Sequence, residues 1–203
     1  MAGESLVQVT EGVGKKMRTW QRDGLSGNNV QEGFYLPGEY PHATYVVIAE
    51  NVSIATATDH TLQIMAGSSL NVRIRSIHIE QNSNAGAANL MTFQIIRLSS
   101  AGTGGTALTP AKYDTSDGAS GCTAMTIPTA KGTETTTLNR GNVTLRAAAQ
   151  STAEDAWDWH QMPNTKPIII AAGTSNGICI KNATGIATAT VNITVELVET
   201  AFV

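Results

Sequence analysis

Alternation of apolar and polar side chains dominates the chain, and its longest run lies near the C-terminus. In ATATVNITVEL, Ala187, Ala189, Val191, Ile193, Val195 and Leu197 fall on one face, and Thr188, Thr190, Asn192, Thr194 and Glu196 on the other. A period of two predicts a strand with one dry and one wet face. LNVRIRSIHIEQ predicts a second such strand. Leu70, Val72 and Ile74 alternate with Asn71, Arg73 and Arg75, and then Ile77 and Ile79 carry the apolar face onward. A slip of phase near Ser76 is what a β-bulge produces.

Further strands are predicted over 43–49, 61–66, 93–99, 142–148, 156–161, 166–171 and 177–182. The stretches GSS, NSNAGAAN, SAGTGGT, TSDGASG, PNTKP, GTSNG and NATG separate them as turns. KPIIIAAGTSNGICIKN reads as a hairpin-like unit. Ile168 to Ile170 form a continuously apolar run, expected to be buried on both sides. AGTSNG turns the chain, and GICIKN returns with Ile178 and Ile180 inward. Trp157 and Trp159 share one face of the preceding strand and supply large apolar area to a core otherwise built from Ile, Val and Ala. STAEDAWDW opens like a capped helix, with Ser151 or Thr152 before Glu154, but the Trp-x-Trp alternation takes over at once. No stretch carries a sustained 3.6-residue stripe. The expected fold is all-β, an antiparallel sandwich, because short strands punctuated at this spacing build sandwiches or barrels.

Residues 1–45 differ in character and are read as an N-terminal arm, extended or folded into hairpins, ahead of a sandwich over 46–203. They are richer in Gly, charge and aromatic residues. Trp20, Phe34, Tyr35 and Tyr40 are the candidate interface residues, aromatics suited to grooves of a partner or of a second copy.

Composition sharpens this picture. The chain is 41% hydrophobic but only 5% aromatic and 14% charged, against about 25% charged in ordinary domains. Uncharged groups must therefore supply the wet faces, and 27 threonines do so while favouring pleated backbone. A net charge of −3, with basic residues grouped only in GKKMR and VRIR, argues against nucleic acid as a partner. The N-terminus shows no apolar signal region, and no apolar run is long enough for a membrane span, so synthesis in the cytoplasm is expected. Cys122 and Cys179 lie 57 positions apart and read as two buried thiols.

The catalytic patterns fail. EGVGKKM has Lys16 where a phosphate loop needs Ser or Thr, and DGASGCT lacks the spacing of a nucleophile elbow around Ser120. The histidines His42, His60, His78 and His160 stand apart in sequence, so no metal ligand set emerges. His78-x-Glu80 and Asp158-x-His160 are read as wet-face pairs, the latter a polar rim opposite the two tryptophans. No enzymatic activity and no cofactor are expected.

One resemblance rests on ordered motifs. LQIMAGSSLNVRIRSIHIEQ, FQIIRLSSAGTGGTALTPAKYD, then WDWHQ with KPIIIAAGTSNGICIKN, and finally VNITVELVE resemble jelly-roll structural proteins of tailed bacteriophages. The matching positions are Ala66-Gly67, Gly104 to Pro110 with Asp114, Pro167 to Ile180, and Val191 to Glu199, within residues 60 to 200. The resemblance implies a jelly roll and a non-enzymatic virion component. The leading expectation is a homotrimeric capsid decoration (cement) protein, with itself and the major capsid protein as partners and no nucleic acid or membrane. The alternatives are a tail, baseplate or fibre-head jelly roll that binds host-surface carbohydrate, and a self-assembling tube or filament subunit. The N-terminal region carries no motif of that family.

Overall fold

The computed structural model describes residues 4–8, 16–23, 29–33, 42–83, 85–147, 156–162 and 165–201. The chain divides into two compact units, Met1–Pro41 and His42–Val203. In the first, β1 (Glu4–Gln8), β2 (Lys16–Asp23) and β3 (Asn29–Gly33) form an antiparallel three-stranded sheet with β2 in the centre. Glu4 pairs with Trp20 on one side of β2, and Trp20 pairs with Glu32 on the other.

The second unit is an all-β sandwich of two antiparallel sheets. Sheet I contains β4 (Thr44–Ser53), β6 (Asn71–Ser83), β9 (Ala111–Lys112), β12 (Ala156–His160), β13 (Ile168–Ile170) and β15 (Thr190–Thr200). Its order is β12-β6-β15-β4-β9, and β13 also pairs with β6. Sheet II contains β5 (His60–Met65), β7 (Asn89–Leu98), β8 (Thr106–Leu108), β10 (Thr123–Thr126), β11 (Glu134–Leu145) and β14 (Gly177–Asn182). Its order is β11-β7-β14-β5-β10-β8. The chain crosses repeatedly from one sheet to the other, and its last strand lies beside the first strand of the sandwich.

Sequence periodicity accounts for the central strands. Val191, Ile193, Val195 and Leu197 on β15 are fully buried, as are Val72, Ile74, Ile77 and Ile79 on β6. The register between these strands shifts where Glu196 pairs with Ser76 and Leu197 with Ile74, leaving Arg75 as the extra residue. That bulge lies where the slip of phase places it, and it keeps both apolar runs facing inward. Each such fully buried Val, Ile or Leu is worth about 1.5–3 kcal/mol relative to exposure.

Three expectations are corrected. The Ile168–Ile170 run and GICIKN do not form a hairpin: β13 pairs with β6 in sheet I, whereas β14 lies between β5 and β7 in sheet II. Their connection crosses between the layers, with Gly173 at φ 128°, a conformation that glycine adopts freely. Nor is β13 buried on both sides; only Ile170 is buried, because β13 has a single neighbour. Among the strands whose burial is described, the one buried at every position is β5. Finally, Ala187 precedes β15 and is exposed, so the dry face starts at Ala189.

The outer side of sheet II explains the burial of β5. Met65, Ile96, Leu98 and Cys179 form a small second apolar cluster there. Two backbone segments pair beside it, with Thr103 and Ala130 exchanging hydrogen bonds at 2.8 and 3.0 Å, and Ser99 N–H donating to the Thr133 carbonyl at 3.0 Å. The buried Gln63 side chain holds them to the sheet by accepting from Gly102 N–H at 2.8 Å.

At the opposite edge, Trp157 and Trp159 pair with the buried Ile79 and Ile77, so both indoles stand on the inner side of β12. The Trp157 indole occupies the space where a Cβ at Gly141 of β11 would stand. Glycine at this position lets the two sheet edges close on each other.

Candidate functional site

Turning the tryptophans inward puts Asp158 and His160 on the outer face of sheet I. The antiparallel register sets Asp158 directly across from His78 on β6, with Thr194 of β15 on the other side of His78. His78 Nδ1 lies 2.5 Å from Asp158 Oδ1, and its Nε2 lies 3.5 Å from Glu80 Oε2. His160 Nε2 is 3.9 Å from the same Asp158 oxygen. Asn192 Nδ2 donates to the other Glu80 oxygen at 3.2 Å, while its carbonyl oxygen accepts from Asn51 N–H at 3.0 Å. The two pairs read separately in the sequence are therefore parts of one network across four strands, β12, β6, β15 and β4.

With a carboxylate at each ring nitrogen, the imidazolium form of His78 is favoured. Its pKa is raised chiefly by the hydrogen bond to Asp158; partial burial opposes the rise, and Glu80 adds to it. The His78 and Asp158 side chains are 39% and 49% exposed, so water screens the pair strongly. NMR titration is expected to place the His78 midpoint above the ordinary value of about 6.5. Asp158→Asn should lower it. Because the folded pKa is the higher one, the stabilisation is complete below the unfolded pKa and disappears as pH rises through the folded pKa. A midpoint at or below the ordinary value in the unaltered chain would contradict this assignment.

A second histidine is fully buried on the outer side of sheet II. His60 Nε2 meets Glu134 Oε1 at 2.9 Å, and Lys181 Nζ meets Glu134 Oε2 at 2.9 Å. Burial pushes the Glu134 pKa up, but hydrogen bonds from His60 and Lys181 outweigh it and hold the carboxyl below its usual value. This cluster joins β5, β11 and β14, with His60 buried and the Glu134 side chain 32% exposed, and reads as a structural tie between strands.

Ser120 also lacks a catalytic setting. Its hydroxyl donates to Glu199 Oε1 at 2.7 Å, and Glu199 also accepts from Cys122 N–H at 2.8 Å and Gly121 N–H at 3.1 Å. Glu199 is 5% exposed, so the sandwich spends a buried carboxylate on holding the Gly118–Cys122 loop. Both cysteines are free and buried, and burial pushes the Cys122 thiol to about 11 and the Cys179 thiol to about 12. Neither thiol ionises at neutral pH to act as a nucleophile. Among the described residues no group of three His, Cys, Asp or Glu is placed to hold a metal ion.

Of the candidate interface residues, Trp20 lies on β2, the central strand of the N-terminal sheet. Phe34, Tyr35 and Tyr40 lie outside the described residues. No family model matches the chain, and no curated protein and no solved structure does either. No helix among the described residues is long and apolar enough to cross a membrane.

Proposed function

We propose that the chain is a bacteriophage virion structural protein, a capsid decoration (cement) subunit. It works as a homotrimer and grips the major capsid protein through its N-terminal region. The observation that carries this reading is the strand order. We read β4-β15-β6-β12 facing β5-β14-β7-β11 as the winding of an eight-stranded jelly roll, an architecture found in viral capsids. β8, β9 and β10 then belong to an excursion between β7 and β11 that widens both sheets along one side. Further support comes from how the sandwich is held together. It uses buried polar clamps and thiols instead of a disulfide, as suits a protein that folds in a reducing cytoplasm and must then persist in a particle.

The separate Met1–Pro41 unit supplies the gripping element. Sedimentation equilibrium of the purified protein is expected to return three times the 21.3 kDa chain mass. The full chain should co-sediment with capsids of the phage that encodes it. A chain lacking residues 1–41 should keep its β-sheet circular dichroism and lose that association. A monomer at every concentration, or undiminished capsid binding by the shortened chain, would overturn the reading. Open filaments in negative stain would replace it with a self-assembling one.

A further inference from the structure

Along β7, alternate residues Met91, Phe93 and Ile95 are fully buried between the sheets. Arg97 is the next residue on that face, and it pairs with the buried Ile178 of β14. A guanidinium is thus aimed into the gap between the layers, where they part at one end of the sandwich. Other arginines are placed differently; Arg73 and Arg75, for example, alternate with buried Val72 and Ile74 and face outward.

The Arg97 guanidinium lines a cleft of about 310 Å³ bounded by Asn71, Ser99, Ile169, Asn176 and Gly177 among others. That volume lies at the lower end of small-molecule sites, about 300–1,000 Å³. Nη1 donates to the Ile169 carbonyl at 2.8 Å, which holds the group across the gap from sheet II to sheet I. Among the described residues no carboxylate lies within ion-pair distance of it. The nearby amides are committed to backbone: Asn71 Oδ1 accepts from Ala172 N–H at 2.9 Å, and Asn176 Nδ2 donates to the Ala172 carbonyl at 3.1 Å. The cleft therefore presents a fixed cation with spare N–H groups, between walls that include Ile169 and Ala171.

A charge held between protein layers is costly unless it is paired, and a guanidinium offers its N–H groups in a planar fork matched to two oxygens. We propose that this cleft binds the oxyanion head of a small organic molecule. Arg97 takes two oxygens of a carboxylate or phosphoryl group, and a short apolar tail lies along Ala171.

The test is a heteronuclear NMR titration of the full chain with sodium butyrate, neutral butyramide and inorganic phosphate. Butyrate or phosphate is expected to give saturable shifts centred on the Arg97 Nε–H and the Ser99 and Gly177 amides, and butyramide none. Saturation by butyrate identifies a carboxylate head, and saturation by phosphate alone a phosphoryl head. Arg97→Gln should weaken the saturating ligand by at least about tenfold. Butyramide shifts equal to those of butyrate, saturation by neither anion, or undiminished binding in Arg97→Gln would each overturn the proposal. If Arg97→Gln does not fold, the comparison of butyrate with butyramide on the unaltered chain decides it.

Discussion

Replacing Glu199 by alanine is expected to destabilise the sandwich by about 2–4 kcal/mol, a loss far outside the range of ordinary surface substitutions. The carboxylate accepts from the Ser120 hydroxyl and from the Gly121 and Cys122 amides. Hydrogen bonds to a charged acceptor contribute about 1.5–3 kcal/mol, and an unpartnered buried donor costs about 1–3 kcal/mol. Ser120 Oγ also accepts from Cys122 N–H at 3.2 Å, so one amide keeps a partner after the substitution. The loop itself stays attached through Tyr45, whose hydroxyl donates to the Gly118 carbonyl at 3.1 Å.

Glu199→Gln is the sharper probe. It keeps the volume but turns one oxygen into an NH2 group, which then confronts either the Gly121 amide or the Ser120 and Cys122 donors. A smaller loss than for alanine is expected, about 1–2 kcal/mol. Urea unfolding of the full chain measures both. A glutamine variant as stable as the unaltered chain would show that charge at this position is dispensable.

What the sequence made legible depended on whether one strand alone carried the signal. The β15 and β6 alternation, the bulge beside Ser76 and the inward pair Trp157 and Trp159 are all single-strand patterns, and the structure contains each of them. The short β8, β9 and β10 were hidden because they sit among Gly, Thr and Pro residues that read as turns. β7 was legible as a strand. Its change of wet side, which buries Ile96 and Leu98 outward and leaves Arg97 inward, depends on the segments around Gly102 and Ala130 that cover sheet II. No local period reports a cover supplied from elsewhere in the chain. Likewise, Asp158 meets His78 across 80 positions, and Glu199 meets Ser120 across 79. Such partners follow from register and layer crossing, which adjacent residues do not encode.

Phe93→Ala is expected to cost more than any other single core truncation, about 3–5 kcal/mol. Phe93 is fully buried and, among the described residues, is the largest of the completely enclosed side chains. On β7 it stands opposite Gly141 of β11 and Asn182 of β14. Neither flank can swing in to fill the void. Gly141 has no side chain and already has the Trp157 indole over it, and Asn182 Nδ2 donates to the Ile54, Thr56 and Thr184 carbonyls. The wider core is rich in Ile and Val, whose branched Cβ atoms hold their rotamers and resist collapse into a cavity. With a urea slope of about 2 kcal/mol per molar, the midpoint should fall by about 2 M. Phe93→Leu, which keeps most of the volume, should cost about 1.5 kcal/mol or less. An apolar void of this kind stays dry and takes up benzene or xenon, so benzene should restore part of the midpoint to Phe93→Ala and none to the unaltered chain. A fall of less than about 0.5 M for the alanine variant, with no benzene effect, would mean that the sheets close over the gap and that the core is softer than its branched composition implies.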